Sequence, residues 1–292
     1  MRKTTSALLG LLSFSAFADT TLYTNVNGYT LNSDYELLRF NAIQFTDDRV
    51  VTIFGEGEEL PDDASKVIDG GGQTMIPGLV DAHGHVLTYG LGLLRVDLVG
   101  ATTEAEAAQR VLDFAADNTE LEWVQGRGWN QVLWDSNEFP TAASLDALVS
   151  GRPVWLTRVD GHAAWANTMA MELAGINQDT EDPVGGQIIR DKNGNATGVF
   201  VDTAMSYIRE QIPDTSFEEQ KVALIAAMKS LATYGITSVH DAGIGSSTIS
   251  AYKELVADAP LPIRVYAMIA ASDPLYQDRL EEGFIESDDL TF

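Results

Sequence analysis

The chain has 292 residues, 45% of them hydrophobic, which suffices for one large domain or two moderate ones. Its formal charge is −25, and no basic patch is visible. Nucleic acid is thereby disfavoured as a partner, and the charge speaks for solubility rather than for any substrate. Cysteine is absent, which rules out disulfides, thiolate nucleophiles and thiolate metal sites and leaves histidine and carboxylates as candidate ligands.

The first residues read as a secretory signal rather than as fold. Arg2 and Lys3 precede an apolar run at residues 7–12, and Ala16-Phe17-Ala18 supplies the small residues of a cleavage site. Export to the periplasm or medium, with cleavage after Ala18, is expected. The run is too short to anchor in a membrane, and no later stretch is long and apolar enough to span one. Residues 19–73 are strand-like, with apolar runs at 37–45 and 50–54 around the polar Asp47-Asp48, a hairpin pattern.

Residues 74–85 carry the most chemistry. Apolar Thr74-Met75-Ile76-Pro77 leads into Gly78-Leu79-Val80-Asp81-Ala82-His83-Gly84-His85, a short buried strand ending in two imidazoles one residue apart. Residues i and i+2 of a strand project to one side, so His83 and His85 can reach one metal ion, with Asp81 one pleat back as a supporting carboxylate. A pair of hydrogen-bonded histidines at a strand end is the alternative. A helix is expected at residues 103–117, then a strand at 123–130 breaking into a Gly-rich loop. A strand at 153–159 follows, then a hairpin turning at Asn193-Gly194. A helix capped by Ser216, a strand at 235–243, a helix at 247–257 and a strand at 262–269 complete a pattern of parallel βα units.

All four histidines lie at expected strand ends beside Asp or Gly, where active sites of α/β folds gather. His162 lies among Arg158, Asp160, Trp165 and Asn167, a mixture of charge, amide and aromatic face typical of small-molecule pockets. It reads as a ligand, a substrate contact or a loop histidine capping carbonyls. Trp129 and Trp165 adjoin polar loop residues and are candidate substrate contacts. His240 and Asp241 read equally as pocket-lining residues behind the metal and as packing.

The phrase Pro77-Gly78-Leu79-Val80-Asp81-Ala82-His83-Gly84-His85 resembles the first barrel strand of the amidohydrolase superfamily. With residues 123–130 and 158–167 it is similar to the amidohydrolase-3 group (YtcJ-like, N-substituted formamide deformylase-like). The resemblance implies an α/β fold: a partial TIM (β/α)8 barrel of the metal-dependent hydrolase type, an N-terminal β-sandwich segment, and an α+β insertion after barrel strand one. The expected divisions are 1–18, 19–73, 74–118, 119–215 and 216–292. It further implies one or two divalent metal ions, most readily zinc, held in part by His83 and His85. The implied activity is hydrolysis of non-peptide C–N bonds in a small amide-type substrate.

By the same resemblance His162 binds substrate, and Arg158, Asp160, Trp165, Asn167 and Trp129 are expected beside it as substrate contacts; Asp81, His240 and Asp241 are expected behind the metal ligands. The family's remaining ligands, a carboxylated lysine, two further histidines and a catalytic aspartate, are not found. A full barrel takes about 250 residues, and only three of its strands fit here. The expectation is an N-terminal portion of a longer enzyme, inactive by itself, whose catalytic aspartate lies beyond Phe292. A non-catalytic or regulatory relative, or a periplasmic binding protein, is the competing reading. Oligomeric state, homo-oligomers included, stays open.

Overall fold

Short apolar runs separated by polar turns shape the first part of the chain. The computed structural model describes residues 19–46, 49–283, 286–287 and 291–292, so the expected signal segment and its cleavage site lie outside the described residues. Two compact units follow one another, divided at Gly78.

The first unit holds β1 (Thr20–Thr24), β2 (Asn27–Leu31), β3 (Leu37–Phe40), β4 (Ala42–Thr46), β5 (Arg49–Phe54), β6 (Lys66–Asp69) and β7 (Thr74–Met75). They form two small sheets, ordered β5-β4-β1-β6 and β3-β2-β7. The expected hairpin is β4–β5, antiparallel with Ile43 opposite Ile53. The run at 37–45 is not one strand, however. It breaks at Asn41, so that β3 and β4 join different sheets. Val26, Phe40 and Ile43 are buried together, with Tyr23, Phe45, Ile53 and Met75 packed against them.

The second unit runs β8 (Leu79–Gly84), α1 (Val86–Leu93), β9 (Val96–Asp97), α2 (Glu104–Asp117), β10 (Val124–Trp129) and α3 (Ala142–Asp146). It continues through β11 (Val154–Arg158), β12 (Ala163–Ala166), α4 (Thr168–Leu173), β13 (Gly186–Arg190), β14 (Ala196–Asp202) and α5 (Ser206–Arg209). It closes with α6 (Phe217–Thr233), β15 (Ile236–Ile244), α7 (Ser246–Asp258), β16 (Arg264–Ile269) and α8 (Tyr276–Glu282). Two sheets result. One has three parallel strands in the order β16-β15-β8, and the other has six in the order β13-β14-β12-β11-β10-β9. The six-stranded sheet is parallel from β9 to β11 and antiparallel from there to β13.

Local chemistry explains the helix boundaries. The Thr103 hydroxyl accepts from the Glu106 amide at the start of α2. Ser216 and Glu219 form a reciprocal capping box at the start of α6. The apolar face of α2 (Ala107, Ala108, Val111, Ala115) is buried with Val124, Trp129 and Leu156 of the six-stranded sheet, so α2 packs there and not with β8. The helix that follows β8 directly is α1, which sequence periodicity does not announce because Gly90 and Gly92 lie within it. A Cβ at Gly90 would come within 2.0 Å of the Ala223 carbonyl oxygen on α6, so glycine permits the close approach of α1 and α6.

Candidate functional site

β8 lies beside β15 in parallel register, with Val239 opposite Asp81 and Asp241 opposite Gly84. The strand ends at Gly84, where a Cβ would come within 2.7 Å of the Val239 side chain. His85 then turns out of the strand and becomes the N-cap residue of α1. The two imidazoles therefore sit on either side of a strand-to-helix turn rather than on one straight strand. They still converge: ring centroids lie 5.3 Å apart with planes at 89°, and both side chains are exposed.

β15 fixes His85 from behind. The His85 Nδ1 lies 3.1 Å from the Ala242 carbonyl oxygen. A carbonyl can only accept, so Nδ1 carries the proton and Nε2 presents its lone pair, the arrangement common to metal-binding histidines. Asp241 is 1% exposed and accepts from the Val86 amide in the first turn of α1 (2.9 Å) and from the Tyr252 hydroxyl (2.8 Å). Burial pushes its carboxyl pKa up, against the opposing pull of the Val86 amide, the Tyr252 hydroxyl and the nearby His85. The Tyr252 phenol is pushed up as well, by burial first and by the Asp241 carboxylate second. Asp81 accepts the backbone amide of His83 at 3.0 Å. A cavity of about 210 Å³ opens beside His85, lined also by Asp81, Gly84, Val86, Tyr89, Leu231 and Val239.

His240 does not join them; its ring packs 5.1 Å from that of Tyr266 on β16. Among the described residues no group of three or more His, Cys, Asp or Glu is arranged to hold a metal ion. The donor chemistry of His83 and His85 suits a divalent metal, but it supplies two protein ligands where catalytic zinc usually has three.

A second group gathers where β11 and β12 turn. Arg158 forks onto Asp160 with bonds of 2.9 and 2.7 Å, and Asp160 also accepts the His162 amide at 3.0 Å. The Arg158 guanidinium holds the Asp160 carboxyl below its usual range. His162 bonds through Nδ1 to Asp202 at 2.8 Å, while the Asp202 amide donates to the His162 carbonyl. Asp202 itself adopts φ +50°, a conformation that L residues seldom occupy. The two groups share no hydrogen bond or ring contact among the described residues. Sequence reading misses Asp202 entirely, because only the fold brings it 40 positions back to His162.

Three expected substrate contacts are corrected. Trp129, Trp165 and Asn167 are all 0% exposed. Trp129 donates to the Leu156 carbonyl and Trp165 to the Thr141 carbonyl, and both rings pack with Trp134. Asn167 caps α4, accepting from Ala170 and Val154 and donating to Val149 and Arg152 carbonyls. Every polar atom of these three side chains is committed inside the fold, so none faces a ligand.

Comparison with known proteins places the chain in a family. The Amidohydrolase family model (Amidohydro_3) matches residues 66–284. Protein LONG AFTER FAR-RED 3 of Arabidopsis thaliana is 34% identical over 219 residues, covering 74% of this chain and 37% of that protein. Putative amidohydrolase YtcJ of Bacillus subtilis is 32% identical over 203 residues, 68% of this chain and 38% of that one. The chain thus spans well under half the length of these two relatives. The crystal structure of an uncharacterized metal-dependent hydrolase from Pyrococcus furiosus superposes with a TM-score of 0.64 at 24% identity, covering 90% of this chain and 52% of that one. That likeness bears on the fold, which is mixed α/β.

Proposed function

The chain belongs to the amidohydrolase family, and from that premise we propose that it serves metal-dependent hydrolysis of amide-type, non-peptide C–N bonds in a small molecule. The observation that carries the reading is the convergence of His83 and His85, with His85 lining a cavity and its Nε2 left free by the bond from its Nδ1 to Ala242. A divalent ion, zinc by preference for imidazole, would be held in part by these two rings. When bound, it lowers the pKa of water and polarises a carbonyl.

The chain's own residues orient the site. Asp241 and Ala242 hold the start of α1, and so the His85 ring, against β15. Asp81 fixes the His83 backbone. Arg158, Asp160 and His162 are proposed as substrate-binding residues, with the imidazole fixed by Asp202. The proton for the leaving nitrogen is assigned to no described residue. β8, β15 and β16, each followed by a helix, are read as the first three units of a (β/α)8 barrel, with the six-stranded region as an insertion and the two small sheets as part of a β-sandwich.

The test is hydrolysis of a panel of small amides by the protein isolated from its source. Turnover that is abolished by a chelator and restored by zinc is expected. Chelator-insensitive turnover, or none on any amide, contradicts the reading. Because two protein donors are present, residues 19–292 alone are proposed to be inactive. The donor count favours a second reading, a regulatory or small-molecule binding relative; ligand binding indifferent to chelation distinguishes it. We also propose export, which N-terminal sequencing of the mature protein tests: a start at Asp19 is expected, and retention of Met1 contradicts it.

A further inference from the structure

In a chain with 43 acidic and 18 basic side chains, arginines are expected to find carboxylates. Arg95, just before β9, and Arg209, the last residue of α5, form no ion pair and no side-chain hydrogen bond among the described residues. Both line one cavity of about 250 Å³, a volume distinct from the one beside His85 and sharing no residue with it.

The cavity lies against the six-stranded sheet. Gln125 on β10 is paired in register with Trp155 on β11, and Thr157 follows Trp155 on the same face, so all three present side chains to one side of the sheet. These three line the cavity together with Thr215 and Asp214. The Gln125 amide and the Thr157 and Thr215 hydroxyls have no hydrogen-bond partner among the described residues. Trp155, 4% exposed, supplies an apolar surface to the cavity and packs against Phe200, with ring centroids 6.2 Å apart and planes tilted by 50°.

Burial lowers the pKa of the Arg95 guanidinium, opposed by the charge of Glu219. The Glu219 carboxylate is already engaged with the Ser216 amide at 2.8 Å. The guanidinium is therefore partly desolvated without an ion pair, although Asp214 lines the same cavity, and a bound anion relieves that state. Chain-wide charge repels anions, so only a local site of this kind would gather one.

We propose that this cavity binds a small carboxylate, with Arg95 and Arg209 on the anionic group, Gln125 and Thr157 as neutral donors, and Asp214 accepting from an N–H of the same ligand. Guanidinium forks match carboxylate geometry, and the volume suits a molecule smaller than a typical drug. The inference is independent of the metal and of the hydrolytic reading.

Calorimetric titration of the chelator-treated chain with N-acetylglycine tests it, with the neutral N-acetylglycinamide as comparison. Binding of the acid is expected, with the amide about tenfold weaker or worse. Arg95→Gln and Arg209→Gln should each weaken the acid by about tenfold, while Arg264→Gln, an exposed arginine on β16, leaves it unchanged. Thermal melts establish that each variant is folded; if Arg95→Gln is not, the exposed Arg209→Gln carries the test. Equal binding of acid and amide, wild-type affinity in Arg209→Gln, or no binding of the acid up to about 10 mM overturns the proposal.

Discussion

Asp241 shows how one buried side chain sets a site that it does not enter. Its two oxygens accept from the Val86 amide and the Tyr252 hydroxyl, so removing it leaves two buried donors without partners. Asp241→Ala should cost about 3 kcal/mol, read from urea unfolding, since each orphaned donor costs on the order of 1–3 kcal/mol. A loss below about 0.5 kcal/mol, the range of ordinary surface substitutions, would mean that Asp241 does not anchor α1. Legibility at this scale was uneven. The pairing of His83 with His85 could be read because both lie within three residues of one strand end. Trp129, Trp165 and Asn167 misled for a physical reason: adjacency to polar loop residues does not say which way a side chain turns, and all three turn into the core, Trp165 from a strand buried on both faces and Trp129 from the buried end of β10. Asp202 could not be read at all, because its bond to His162 exists only once β14 lies beside β12.

Among the elements, those with chemical punctuation were legible. Thr103 and Ser216 mark the starts of α2 and α6, and Asn193-Gly194 marks the β13–β14 turn. α1 carried no such mark, and its two glycines argue against a helix. They differ in purpose. A Cβ at Gly90 would meet the Ala223 backbone at 2.0 and 2.5 Å, whereas a Cβ at Gly92 meets nothing within 4 Å. Gly90→Ala should therefore destabilise the protein by about 2 kcal/mol as α1 is forced away from α6. Gly92→Ala should instead stabilise it by about 0.5–1 kcal/mol through helix propensity. Denaturant titration of the two variants separates these effects. If Gly90→Ala proves as stable as Gly92→Ala, the close α1–α6 approach is not a constraint.

At the scale of the whole molecule, the strands read as parallel βα units, β8, β15 and β16, do lie in one parallel sheet, whereas the membership of the other sheets was not legible. β9 is two residues long and carries no pattern, yet it opens the six-stranded sheet and draws α2 to that sheet's core. The split of residues 37–45 between two sheets is likewise decided by pairing partners remote in sequence. The proposed metal site is the β8–α1 turn, with His83 at the end of the strand and His85 capping the helix. Zinc titration of the purified chain, followed by calorimetry, tests it most directly. Wild type should bind one ion per chain, His83→Ala and His85→Ala should each abolish binding, and His162→Ala and His240→Ala should leave it intact. Undiminished binding in the His83→Ala and His85→Ala variants would contradict the account.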